Sequence, residues 1–158
     1  MTHTAPSFRF SGRAFILSLA TFLTLSAGTA QAMGNVDSWE SSGDTDLAAI
    51  TGMIDQEKYD DAIADLQKML EKDPQNADAL NYLAYSQRKS GDLANAETNY
   101  ARALAINPEH KGALEYQGEL FLQTGREALA QENLARLELI CSSSCEEYQE
   151  LANAIANH

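Results

Sequence analysis

The chain has 158 residues, 11 Lys+Arg against 23 Asp+Glu, a formal net charge of −12 and two cysteines. That length holds one domain with appendages. The acidic balance repels phosphate backbones and anionic lipid surfaces, so it argues against nucleic-acid and membrane-surface binding and for a neutral or basic partner.

Residues 1–32 carry Arg9 and Arg13, then the apolar run "AFILSLATFLTLSA", then "AGTAQA" with Ala30 and Ala32 as small residues. A basic start, an apolar centre and an A-x-A end describe a secretory signal peptide. The apolar run is shorter than the ~20 residues that span a bilayer. The expectation is cleavage after Ala32, an exported product that is periplasmic or secreted, and no stable membrane insertion once the signal is gone. Loss of Arg9 and Arg13 leaves nine basic residues against 23 acidic, a formal charge of −14. Residues 33–42, "MGNVDSWESS", read as a disordered N-terminus of the mature protein, with Trp39 either folded back on the first helix or free for a partner.

From residue 43 the chain repeats with a period of 34, in registers 43–76, 77–110 and 111–144. Ala62, Ala96 and Ala130 share one position, Leu66, Tyr100 and Leu134 another, and Ile50, Ala84 and Gly118 a third. A fixed period with small residues at fixed offsets marks a repeat array. Each register reads as two amphipathic helices. In the second, Leu80, Leu83, Ala84 and Gln87 share a face, Gly91-Asp92 makes the turn, and Leu93, Ala96, Tyr100, Ala103 and Leu104 line the next helix before Pro108. Alanine at 84 and 96 lets the paired axes approach. In the first register Asp46 and Ile50 stand where a large apolar and a small residue belong, which predicts a first helix that is shorter or packed differently.

Residues 145–158 form a last helix with Cys145, Tyr148, Leu151, Ala152 and Ile155 on one face. Glu146, Gln149, Glu150, Asn153 and Asn157 take the other. Ser144 and Glu147 fit the S-x-x-E capping box. Such a helix covers the apolar flank that the last repeat would otherwise expose.

The pattern Leu80-x2-Leu83-Ala84-x2-Gln87, Ala96-x3-Tyr100, Pro108, and again Leu114-x2-Gln117-Gly118-x2-Phe121, Ala130-x3-Leu134, resembles the tetratricopeptide repeat family, with this chain as a small exported bacterial member. The resemblance covers about 43–144. It implies an all-α, right-handed α-α superhelix of three helix pairs, with 145–158 as a capping helix. It also implies a concave groove lined by the first helix of each pair. By position, the groove residues are Asp78, Asn81, Tyr85, Arg88 and Lys89 from the second unit, and Gly112, Glu115, Glu119 and Leu122 from the third. The first unit offers Leu47, Thr51 and Ile54. The family's carboxylate clamp needs basic side chains where this chain has Glu115 and Glu119, so an acidic C-terminus is not the expected ligand.

Catalytic signatures are missing. The histidines are His3, His110 and His158, and no H-E-x-x-H, phosphate-cradling glycine loop or nucleophile elbow occurs. The expectation is a non-enzymatic adaptor without cofactor or metal that holds a protein or peptide partner. Cys141 and Cys145 leave three readings open. A disulfide between the last repeat and the end helix suits an oxidising compartment and leads. A reactive thiol at a helix start and a soft thiolate site for copper would instead make the protein a thiol-redox or copper-handling accessory.

Overall fold

A computed structural model describes residues 42–158, with side chains from Asp46 onward; the signal segment, residues 33–41 and Trp39 lie outside the described residues. Seven helices follow one another: α1 (Ser42–Asp55), α2 (Tyr59–Lys72), α3 (Ala77–Lys89), α4 (Leu93–Ile106), α5 (Lys111–Gln123), α6 (Glu127–Cys141) and α7 (Glu146–Ala156). No strand occurs among the described residues. Within them, no helix is long and apolar enough to cross a membrane.

The turns inside the pairs repeat as closely as the helices do. Glu57, Gly91 and Gly125 share one position in the 34-residue period, and all three have left-handed backbone, with φ of 58°, 90° and 73°. The residue after each closes the preceding helix through the same bond. Lys58 N donates to Met53 O (3.0 Å), Asp92 N to Gln87 O (2.8 Å) and Arg126 N to Phe121 O (2.7 Å). These bonds satisfy carbonyls that a helix end leaves without partners. Glycine reaches positive φ without a Cβ penalty; Glu57 does not.

The helix starts repeat too. Asn76 Oδ1 accepts from Ala79 N at 2.9 Å to begin α3. Thirty-four residues on, His110 Nδ1 accepts from Ala113 N at 3.2 Å to begin α5. One period further stands Ser144, where the capping box was expected. The structure corrects this: Cys145 is the N-cap of α7 and no side chain caps it. Ser144 Oγ instead lies 3.0 Å from Ser142 Oγ. With the Cys145 side chain tied back to Cys141, the helix starts one residue late and the serine is out of register.

Three apolar clusters run along the array, and each spans more than one helix pair. Ile50 of α1, Ala62 and Leu66 of α2, and Ala79 and Leu83 of α3 form the first. Leu80, Ala84, Ala96, Tyr100 and Ala103 meet Ala113, Leu120, Phe121, Leu122 and Ala130 in the second. Leu114, Leu137 and Leu151 join α5, α6 and α7 in the third. Burying each leucine stabilises the fold by roughly 1.5–3 kcal/mol. Because every unit leans on its neighbour, no pair closes its own core. The first helix is not shortened by Asp46 and Ile50: α1 has 14 residues, as α2 does, and Ile50 is buried.

Two buried amides tie second helices to first helices, and nothing in the apolar pattern announces them. Asn99 Nδ2 donates to Gln87 Oε1 at 2.9 Å. One period later Asn133 Nδ2 donates to Gln117 Oε1 and to Leu114 O, both at 3.0 Å. Hydrogen bonding removes most of the cost of burying such groups.

Candidate functional site

The first helices stack side by side. In this arrangement α3 packs on α1 and α2, α5 on α3 and α4, and α7 on α5 and α6. The polar faces of α3 and α5 therefore meet along one strip, and α7 borders it. This placement decides what each expected groove residue can do.

Asp78, Tyr85 and Lys89 stand at the surface of α3 to different degrees. Asp78 and Lys89 are exposed or nearly so, and Tyr85 is half-buried. The Tyr85 ring lies between two other tyrosines. Its centroid is 4.8 Å from Tyr116 and 6.4 Å from Tyr59, which it meets edge-on. Both distances suit favourable aromatic pairing. The Arg88 guanidinium lies 5.4 Å from the Tyr85 centroid and the Lys89 ammonium 5.9 Å, within reach of the ring face. Arg88 also pairs with the Glu119 carboxylate on α5. Burial works against the Arg88 charge, yet the Tyr100 and Glu119 side chains hold its pKa above the usual guanidinium value.

Five expected positions lie deeper than the resemblance implies. Leu122 is buried and belongs to the central cluster, with Ala154 and Ile155 of α7 packed beside it. It is core. Leu47 and Ile54 likewise pack against the cluster around Leu66. Asn81 is 3% exposed and Glu115 2%. In each case the next first helix covers the position: α5 lies over Asn81, and α7 lies over Glu115. Gly112 sits at this junction, 3.4 Å from Asn81 Nδ2 measured from where its Cβ would stand.

Glu115 is the most perturbed group of the strip. Burial, then the neighbouring Glu150 carboxylate, then Glu119 and Glu147, push its carboxyl up to about 9. It therefore holds a proton at neutral pH. Burial also raises the Tyr116 hydroxyl, with Glu115 adding to the effect. Beside them Lys111 Nζ pairs with Glu147 at 3.1 Å, and His110 Nε2 lies 3.0 Å from Asp78 Oδ1.

Sequence reasoning passed over Tyr59, Tyr82, Tyr116 and His110 in this strip. Tyr116 falls at a position one residue away from the apolar spacing, and His110 stands at a repeat boundary. The one signal for His110 was its register with Asn76, a residue type that caps helices.

Cys141 ends α6 and Cys145 caps α7. Their Cα atoms are 5.8 Å apart and the sulfurs are in disulfide geometry. That separation is one a disulfide spans. Cys141, Cys145 and Glu147 are also the only three Cys, His or carboxylate groups among the described residues whose ligand atoms lie within 4.8 Å of one another. Thiolates ligate metal; disulfide sulfurs in the bonded state do not offer that charge.

The tetratricopeptide repeat model matches residues 47–98 and 83–138. No curated protein matches the sequence. Among solved structures, the chain is similar to the first tetratricopeptide domain of Spaghetti (RPAP3) bound to the HSP90 peptide SRMEEVD, with a TM-score of 0.64 at 21% identity over 73% of this chain and 94% of that one. It is similar to the Yersinia enterocolitica type III secretion chaperone SycD in complex with a peptide of the translocator YopD, with a TM-score of 0.62 at 18% identity over 72% and 86%. It is also similar to MamA, with a TM-score of 0.62 at 22% identity over 73% and 68%. These likenesses support the all-α superhelical fold.

Proposed function

The chain belongs to the tetratricopeptide repeat family, and on that premise we propose that it is an exported, non-catalytic adaptor that holds a segment of a protein partner along α3 and α5. The observation that carries this reading is the strip of Asp78, Tyr85, Lys89, Tyr116 and Glu119 on successive first helices, with Tyr85 and Tyr116 in contact. Two structures of the same fold hold peptides, one from HSP90 and one from YopD. Aromatic side chains flanked by charged ones supply the rigid contact area and the orienting groups that peptide grooves use. The acidic balance favours a neutral or basic segment. Export rests on the pattern of residues 1–32, and an oxidising compartment would keep Cys141 and Cys145 bonded.

A photo-crosslinking residue placed at Lys89 tests the groove against one placed at Glu132, which is exposed on the second helix α6. Partner adducts from Lys89 and not from Glu132 support the reading. Adducts from Glu132 alone move the binding surface to the second helices.

A second reading follows from the cluster of Cys141, Cys145 and Glu147. In the reduced protein the two thiolates would offer a soft site for copper. Copper retained by reduced protein and lost on Cys145→Ser supports it. Equal copper on both proteins removes it.

A further inference from the structure

We propose that the cleft between α3, α5 and α7 is a subsite for one guanidinium, the side chain of an arginine in the bound segment. The proposal rests on the reading of α3 and α5 as the partner-binding strip and says which residue that strip selects.

The cleft has a volume of about 370 Å³, and its lining includes Asn81, Tyr82, His110, Glu115, Tyr116, Glu147 and Glu150. It is a mouth of oxygen acceptors. Two of them are buried and receive no hydrogen bond, Asn81 Oδ1 and Glu115 Oε1, while the protonated Glu115 carboxyl itself donates to Glu150. Both residues are more than nine-tenths buried. Unpaired acceptors in low dielectric are costly to leave so, and a donor that reaches them recovers that cost.

The arrangement selects the donor. A metal ion would need ligand atoms drawn close around one point, and among the described residues no three Cys, His or carboxylate groups in this cleft come within 4.8 Å of one another. The acceptors come from three helices instead. A guanidinium offers five donors in a planar fork and meets separated acceptors on several sides. It is also weakly hydrated and packs against aromatic rings, and Tyr82 and Tyr116 line the cleft. A lysine ammonium is a compact, strongly hydrated point charge and fits such a site less well.

Entry of the cation is coupled to a proton. Free Glu115 is protonated at neutral pH, since burial and the Glu150, Glu119 and Glu147 carboxylates push it up to about 9. An adjacent guanidinium favours the carboxylate. The Glu115 O–H bond then breaks, the proton passes to solvent, and the guanidinium keeps its charge. The groups that face this event are Asp78 and Tyr82 on α3, His110 before α5, Lys111, Tyr116 and Glu119 on α5, and Glu146, Glu147 and Glu150 on α7. Lys111 and Arg88 are already engaged, with Glu147 and Glu119 respectively.

The test uses the full chain and two probe peptides, acetyl-Ala-Arg-Ala-amide and its citrulline counterpart, which keeps the shape and loses the charge. Calorimetry at pH 7.5 in two buffers of different ionisation enthalpy reads affinity and proton release together. The arginine peptide is expected to bind at least tenfold more tightly than the citrulline peptide and to release a proton. Glu115→Gln reproduces the shape of the neutral acid, so it keeps the fold, and it should lose at least tenfold in arginine-peptide affinity together with the proton release. Equal binding of the two peptides, undiminished binding by Glu115→Gln, or binding without proton release would each overturn the subsite. Crosslinking at Lys89 is unaffected by that result, so the groove can stand while the subsite falls.

Discussion

Leu151 of α7 occupies the space that a side chain on Gly118 of α5 would need. A Cβ at Gly118 would stand 2.6 Å from Leu151 Cδ1 and 2.7 Å from its Cδ2. The leucine is fully buried, in one cluster with Leu114 and Leu137. The missing side chain is thus what lets α7 seat on the array, at the same register position where Ala84 faces the next first helix. Gly118→Ala should destabilise the protein by about 1–3 kcal/mol through overpacking, even though alanine favours helix more than glycine. Urea unfolding monitored by circular dichroism reads this. A stabilised variant would mean that α7 does not bear on Gly118.

Glu57 occupies the turn position that glycine fills in the next two units, and its φ is 58°. Glu57→Gly should stabilise the first pair by about 0.5–1 kcal/mol, because only the left-handed penalty changes. The matching substitutions Gly91→Glu and Gly125→Glu should cost a similar amount. Melting temperatures of the three variants check the set, with opposite signs expected.

Glu115 makes stability depend on pH in an unusual direction for a carboxylate. Its carboxyl sits at about 9 in the fold, above the ordinary value of 4.5. The folded state therefore binds the proton more tightly than the unfolded state. The stability this gives is complete below about pH 4.5 and is lost as pH rises toward 9. Glu115→Gln should remove that loss. The difference in unfolding free energy between variant and parent should be near zero at pH 4 and grow to a few kcal/mol at pH 8. A difference that is flat with pH would show that Glu115 titrates normally.

His110 caps α5 through Nδ1 while Nε2 lies beside Asp78. His110→Ala should cost about 1 kcal/mol, the usual value of a lost N-cap. His110→Asn should recover most of it, since Asn76 does the same work at the start of α3. If both variants unfold alike, the contact with Asp78 matters and the cap does not.

Reduction of Cys141–Cys145 should lower stability by about 2 kcal/mol or less, because the closed loop is short and little chain entropy is at stake. The effect should concentrate on α7, and hydrogen exchange in residues 146–156 with and without reductant reads it. Thiol labelling without reductant should find neither cysteine reactive.

Much of this protein is legible from its sequence, and the reason is period. Alternation at three and four residues fixes which face of each helix is apolar. Leu80, Leu83, Ala84 and Gln87 are buried, as are Leu114, Gln117, Gly118 and Phe121. On α7 the face with Leu151 is covered, and Glu146, Gln149, Glu150, Asn153 and Asn157 are exposed. A repeat of 34 then sets the helix pairs and their turns, because each unit meets the same neighbour in the same way.

The site is less legible, and its residues show why. Periodicity says which side of a helix avoids water through its own apolar stripe. It does not say which polar positions a later helix will cover. Asn81 and Glu115 lie outside the apolar stripe and still lose their water, because α5 and α7 pack across them. Leu122 looked available for the same reason and is core. Ser144 matched a cap, but the link between Cys141 and Cys145 starts α7 one residue later. The sequence by itself determined the repeat, the helices, their apolar faces and the acidic field. Only the tertiary structure decided which carboxylate is buried, which tyrosines touch and where the acceptors gather. Those depend on distances between chain segments some 30 residues apart, and packing sets such distances where local pattern cannot.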